Sequence, residues 1–308
     1  MAMKFSGVLN SLLALAGIFV AALPLCTAPA LAQQNETTPA SNEPQKAEPE
    51  MRSGPSLENA FDHMYRLKFA DARVEISAYE KLHPNDALGK AAEAASYLFE
   101  EFEQKGVLTS SFFLDDKKFL GGIEGAPEKN RNEKFLEANR RAREMAQARL
   151  RKYARDPDPM LVLALADGME SDYDALIEKK QLAGLSMMKQ ADAEATKVLS
   201  IDPTAQDAYV SLGVANYVIG CLPGYKKAFL WFGGVHGDRL RGIEQMQSAA
   251  SGGHYLRPFA KIMLALAHER EHQYKEAGAL LFELKKEFPE NPHFAAELSI
   301  AEQKAGDK

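Results

Sequence analysis

Residues 274–292 read YKEAGALLFELKKEFPENP, and this stretch decides the fold class. Ala277, Leu281 and Leu284 recur at the three- and four-residue spacing of an amphipathic α-helix. Pro289 ends that helix, because proline cannot donate to the helical hydrogen-bond ladder, and Asn291-Pro292 suits the cap and first turn of another. The stretch therefore predicts one helix ending near residue 288 and a second beginning at 292.

The same stop signal occurs at three earlier points in the chain. They are Leu82-His83-Pro84-Asn85, Arg155-Asp156-Pro157-Asp158-Pro159 and Ile201-Asp202-Pro203. Between these points apolar residues keep helical spacing, and β-branched alternation never persists for the length of a strand. The sequence therefore predicts an all-α protein whose helices come in short-linked pairs.

The predicted layout has five helix pairs followed by a single helix. The pairs are 57–69 with 71–83, 86–104 with 130–155, 158–179 with 182–201, 205–219 with 237–252, and 256–271 with 274–288. A last helix, 292–305, is expected to cover the open end of the stack, as terminal repeats do.

Small and large residues alternate in these pairs in a recurring pattern. Matches to it are Tyr209, Leu212 and Gly213; Ala277, Leu281, Leu284 and Pro289; Ala72, Ile76, Tyr79 and Pro84; and Ala191, Ala195, Val198 and Pro203. The chain resembles a tetratricopeptide repeat (TPR) array over most of 57–305. This resemblance implies an α-solenoid of antiparallel helix pairs that binds a protein or peptide on its concave face and assembles or tethers envelope components.

Two long insertions, 105–129 and 220–236, interrupt the second and fourth pairs. They share a pattern of two lysines, apolar or aromatic residues, Gly-Gly, a β-branched residue, any residue and Gly, and they are expected to project from one edge of the solenoid. Their aromatic residues are Phe112, Phe113, Phe119, Tyr225, Phe229, Trp231 and Phe232. Three interpretations stay open: these residues pack as a cap over the core, they form an exposed binding rim, or Gly237-Asp238 opens a helix that binds an anion.

The beginning of the chain has the features of an export signal. Residues 1–32 combine Lys4, an apolar core and the small-x-small pattern Ala30-Leu31-Ala32, and 33–55 is a polar, flexible leader. No later run is long enough to span a bilayer. We therefore predict a soluble, exported protein, periplasmic or secreted, with the helical repeats over 56–305. Lipidation of Cys26 is an alternative that Leu25 disfavours.

Net charge and cysteine content bear on nucleic-acid binding and on disulfide formation. The formal net charge is −6 and the chain has only two cysteines. An acidic, exported protein is a poor nucleic-acid binder, and removal of the signal would leave Cys221 with no internal disulfide partner. Cys221 has no His or Asp nearby in sequence and is interpreted as a small buried residue.

One short motif suggests catalysis. His268-Glu269-Arg270-Glu271-His272 has the H-E-x-x-H spacing that places two imidazoles on one helix face for zinc-dependent hydrolysis. The motif falls at the end of a predicted helix with charged residues around its second histidine, so a surface histidine pair is the preferred interpretation.

The helix 130–155 is basic and amphipathic. Its cations are Lys134, Arg140, Arg141, Arg151, Lys152 and Arg155, and its apolar side contains Phe135, Ala142, Ala146, Leu150 and Tyr153. Such a face can contact anionic lipid or an acidic partner, but Glu133, Glu137 and Glu144 favour an ordinary solvated face.

Together these observations predict a scaffold that binds a protein or peptide and has no catalytic activity or cofactor. Two alternatives stay open. One is a zinc-dependent hydrolase built on His268, Glu269 and His272, and the other is a carrier that holds a small amphipathic ligand between the insertions.

Overall fold

The computed structural model describes residues 54–307, apart from 223, 225–226 and 228–234. Thirteen α-helices, and no strand, form in this part of the chain. They are α1 (Leu57–Tyr65), α2 (Phe69–Leu82), α3 (Ala87–Gln104), α4 (Ser110–Phe113), α5 (Asp116–Gly121), α6 (Lys129–Lys152), α7 (Pro157–Asp172), α8 (Gln181–Ile201), α9 (Tyr209–Cys221), α10 (Arg239–Gly252), α11 (Arg257–Arg270), α12 (Tyr274–Glu287) and α13 (Pro292–Gly306).

The helices pack against their neighbours as consecutive hairpins. The pairs are α1 with α2, α3 with α6, α7 with α8, α9 with α10, and α11 with α12, while α13 packs on α12. Each second helix also contacts the first helix of the following pair. This arrangement confirms the predicted all-α solenoid.

Four of the five turns that follow a second helix repeat one hydrogen-bonded geometry. In the last of them the Phe288 amide donates to Leu284 O at 2.8 Å and the Asn291 amide donates to Phe288 O at 3.1 Å. The same two bonds occur at 79–86, 149–156 and 198–205. Asp86, Asp156 and Asn291 then accept an amide of the first turn of the following helix. Three of the four stop signals therefore form the caps predicted for them, whereas no side chain caps α9 after Asp202-Pro203.

Several helix boundaries differ from the prediction. Helix α1 ends at Tyr65 and not at 69, because Leu67 takes a left-handed φ of 61° in a Schellman turn. Helix α7 ends at Asp172 and continues as one π-helical turn, Tyr173–Ile177. A short 3₁₀ turn, Gln206–Ala208, precedes α9 where one continuous helix was predicted.

Glycines allow α9 and α10 to approach closely. A Cβ on Gly242 would lie 2.6 Å from Tyr217 N and 2.8 Å from Gly213 O, so the two backbones meet there without intervening side chains. This contact accounts for the Leu-Gly element of the repeat pattern, since only glycine fits at such a crossing.

The two ends of the array contact each other. The ring of Phe61 lies 5.1 Å from that of Tyr255, and Tyr65 lies 5.4 Å from Phe288. Asn291 Nδ2 also donates to Tyr65 O at 2.8 Å. Helix α13 therefore packs on α12 as a terminal helix, but the turn before it also contacts α1. The described helices form a ring of pairs that is closed on itself.

Candidate functional site

The first insertion folds as two short helices, α4 and α5, where a loop was predicted. The side chains of Phe112, Phe113 and Phe119 form a cluster with ring centroids 5.3 to 6.4 Å apart. Phe112 is buried in the core of the first three pairs, and Phe113 and Phe119 are half-buried against it. Phe112 therefore packs in the core and is not an exposed anchor, whereas Phe113 and Phe119 keep part of their surface accessible.

Polar contacts join the first insertion to α11 and to the terminal helix α13. The Ser110 amide donates to Glu297 Oε1 at 3.0 Å. Arg270 of α11 donates to Phe113 O at 3.2 Å and pairs with Asp116 at 2.7 Å. The insertion therefore bridges the beginning and the end of the array.

The residue after Arg270 contacts the base of the second insertion. Glu271 Oε1 lies 3.0 Å from Arg239 and accepts from the Tyr217 hydroxyl at 3.2 Å. Tyr217 and Arg239 flank the second insertion on α9 and α10. The predicted site residues Tyr225, Phe229, Trp231 and Phe232 lie outside the described residues.

An open depression lies where α5, the α11–α12 turn and α13 meet. Its lining residues are Leu114, Asp116, Glu269, Arg270, His272, Tyr274 and Lys304. Two ion pairs face it, Arg270 with Asp116 and Lys304 with Glu269 at 3.1 Å. The Lys304 ammonium also lies 5.5 Å above the ring of Tyr274. This surface combines charge with an aromatic wall.

The H-E-x-x-H motif does not form the geometry that a zinc site requires. Helix α11 ends at Arg270, and His272 lies in the following turn with a left-handed φ of 61°. His268 Nδ1 contacts Gln273 at 2.6 Å and His272 Nδ1 contacts the Tyr274 hydroxyl at 2.9 Å. The two imidazoles therefore do not share one helix face.

Glu269, the base in the hydrolase hypothesis, is explained by its contacts within the fold. Its side chain is buried, and burial raises the pKa of its carboxyl, while the hydrogen bond from Lys304 acts in the opposite direction. Among residues 54–307 outside the gaps, no group of three His, Cys, Asp or Glu side chains is placed to hold a metal ion.

Packing within the fold also explains two further candidates from the sequence, Cys221 and the Gly237-Asp238 pair. Burial raises the pKa of the Cys221 thiol, although the Tyr217 hydroxyl beside it acts in the opposite direction, so the protonated form is favoured. At the start of α10 the Asp238 carboxylate accepts the Arg241 amide at 3.1 Å. Gly237 packs against the backbone of α9, as the 2.5 Å from its ideal Cβ position to Gly220 N shows. Packing and capping therefore account for the Gly237-Asp238 pair.

The basic face of α6 carries its own counter-ions. Arg140 pairs with Glu137 at 2.7 Å and also with Glu144, and Arg141 pairs with Glu137 at 3.2 Å. Tyr153, predicted on the apolar side, is 63% exposed because α6 ends at Lys152. The pairing favours an ordinary solvated face.

Sequence reasoning missed the residue that orders the 253–256 turn. The buried Asp207 carboxylate accepts the backbone amides of His254, Tyr255 and Leu256 at 2.8, 3.0 and 3.2 Å. Tyr255 then accepts the Tyr65 hydroxyl at 2.9 Å. The Gly252-Gly253 pair before this turn was the only local signal of an unusual connection.

In the part of the chain that the structure describes, no helix combines the length and apolar character needed to cross a bilayer. Neither the family models nor the curated proteins compared with this chain match its sequence.

Proposed function

We propose that this protein is an exported, TPR-like scaffold that binds a protein or peptide, without catalysis, at the edge where its first insertion meets α11, α12 and α13. The observation that carries the proposal is the depression beside Arg270. It is a contiguous surface with aromatic, cationic and anionic groups, and it is held by helices and not by a single loop.

The contacts of Arg270 and Glu271 support a binding role for this edge. Arg270 and Glu271 are neighbours in sequence, and they contact the first insertion and the residues that flank the second. These contacts bring side chains from separate parts of the chain together on one surface, which a partner can contact at several points. The half-buried Phe113 and Phe119 belong to the same edge.

Site-specific photocrosslinking tests the proposal. A photoreactive residue replaces the exposed Lys117 of α5 or Lys275 of α12, and Ala193 on the exposed side of α8 is the control position. After ultraviolet irradiation in an envelope extract of the source organism, we expect a discrete crosslinked protein at the first two positions. Crosslinks at Ala193 alone, or at none of the three positions, would contradict the proposal.

A second measurement tests the aromatic residues of both insertions. The triple variant Phe119→Ala, Trp231→Ala and Phe232→Ala is compared with the unmodified protein by affinity capture, after circular dichroism has shown equal helicity. We expect the crosslinked partner to be captured at least about tenfold less well by the variant, since aromatic anchors dominate binding energy. Equal capture would place the site on other residues.

A further inference from the structure

The seam that closes the ring of helices has an aromatic part. It consists of three ring pairs, Phe61 with Tyr255, Tyr65 with Phe288, and Phe99 with Phe259, whose centroids are 5.1, 5.4 and 5.8 Å apart. These pairs lie beside the turns that precede α11 and α13. Phe288 is almost fully buried. We call this part the aromatic hinge.

The rest of the seam, towards the insertion edge, is polar. It consists of Glu103 with His293 at 2.8 Å, the Ser110 amide with Glu297 at 3.0 Å, and Arg270 with Phe113 O and Asp116. We call this part the polar clasp.

The clasp is less completely packed than the hinge. The Asp116 side chain is 67% exposed, and Glu297 Oε2 is buried without a hydrogen-bond partner among the described residues. The open depression lies directly beside the Arg270–Asp116 pair. Exposed ion pairs contribute little to stability, whereas aromatic contacts retain their apolar burial. The insertion edge is therefore the weaker side of the seam.

We propose that the polar clasp opens while the aromatic hinge stays closed, and that an acidic segment of the partner then binds Arg270 in place of Asp116. This inference rests on the proposed function, since it specifies how the same surface is covered and what it recognises. Arg270 already recognises such groups within the chain, because its guanidinium donates hydrogen bonds to the Asp116 carboxylate and the Phe113 carbonyl.

Charge complementarity supports an acidic partner. Arg270 and Lys304 both face the depression, where each pairs with a carboxylate of the same chain, and Lys304 is 39% exposed. Once Asp116 leaves, Arg270 has no other carboxylate among its hydrogen bonds in the described part of the chain, and a partner carboxylate would restore a charge-assisted pair. A basic or purely apolar segment would leave Arg270 without its counter-ion.

Fluorescence energy transfer tests the opening. Donor and acceptor dyes are placed at Lys118→Cys on α5 and Lys275→Cys on α12, in a protein with Cys26→Ser and Cys221→Ser. We expect Asp116→Ala to lower the transfer efficiency, and Lys197→Gln, which breaks an exposed ion pair on α8, to leave it unchanged. An unchanged efficiency in Asp116→Ala would overturn the clasp.

A peptide probe tests the recognition. The probe copies residues 110–117, and a control peptide replaces both of its aspartates by asparagine. We expect the acidic probe to bind Asp116→Ala at least about tenfold more tightly than the unmodified protein, and Arg270→Gln to bind it no better than the unmodified protein. Equal binding of both peptides, or equal binding by both variants, would refute an acidic ligand at Arg270.

The outcomes separate this inference from the proposed function. Crosslinking of a partner at Lys117 or Lys275, together with a clasp that never opens, would refute the inference and leave the scaffold proposal standing. Opening and peptide binding without any crosslinked partner would contradict the scaffold proposal itself.

Discussion

Replacement of Gly242 by alanine tests the close crossing of α9 and α10. The new Cβ would lie 2.6 Å from Tyr217 N and 2.8 Å from Gly213 O, and backbone atoms cannot rotate away as a side chain can. Since ordinary contacts begin near 3.4 Å, the helices would have to separate by about 0.8 Å. Such overpacking costs about 1–3 kcal/mol, while alanine gains about 1 kcal/mol over glycine in a helix. We expect a net loss of up to about 2 kcal/mol.

Gly168 of α7 provides the matched control, because a Cβ there would meet nothing within 4 Å. Gly168→Ala should therefore stabilise the protein by about 0.5–1 kcal/mol through helix propensity alone. Urea unfolding followed by circular dichroism gives both free energies. If Gly242→Ala is as stable as Gly168→Ala, the close crossing is not a constraint and the reasoning fails.

Three further substitutions test the turn at His272, the half-buried Asp192 and the buried Asp207. The left-handed φ of His272 disfavours any residue with a Cβ. His272→Gly should therefore raise the free energy of unfolding by about 0.5–1 kcal/mol. A lower free energy of unfolding would show that the imidazole stabilises the turn. Burial raises the pKa of Asp192 from 3.8 to about 7, so the folded state keeps a proton that the unfolded state releases, and stability falls as pH rises between these values. Asp192→Asn should therefore gain about 1–3 kcal/mol at pH 8 and almost nothing near pH 3.5, and a gain that does not vary with pH would exclude the buried charge as its cause. Asp207→Ala removes the acceptor of three backbone amides and should lower the free energy of unfolding by about 2–4 kcal/mol, whereas an unchanged value would mean that water replaces the carboxylate.

The helix pairs could be predicted from sequence because their signals are local. Proline and a capping side chain act within one turn of the residues they affect, so Pro289 and Asn291 mark a boundary whatever surrounds them. The predicted end of α12 at 288 and start of α13 at 292 differ from the structure by at most one residue. Tertiary context is not needed at such positions.

The ends of α1 and α11 were less predictable because their turns lack glycine. Leu67 and His272 take φ values of 61°, a conformation that glycine usually marks in a sequence. The spacing of His268 and His272 places both imidazoles on one face only within a continuous helix, and α11 ends at Arg270, before His272.

The candidate site could not be predicted from the sequence, because its contacts join residues that are far apart along the chain. Ser110 and Glu297 are separated by 187 residues, and Arg270 and Asp116 by 154. The aromatic content of the first insertion was visible in sequence, but whether Phe112 faces core or solvent depends on helices that lie far along the chain. The four aromatic residues assigned to the second insertion stay a prediction.

Closure of the ring limits how this architecture can change in length. An open solenoid gains or loses a helix pair at small cost, because each pair contacts only its neighbours. Here one added or deleted pair would displace the 288–291 turn from Tyr65 and the start of α13 from Glu103, which together hold the seam. The number of repeats is therefore fixed by the fold itself, and the first insertion is under the same constraint, because it contacts α11 and α13 across the seam.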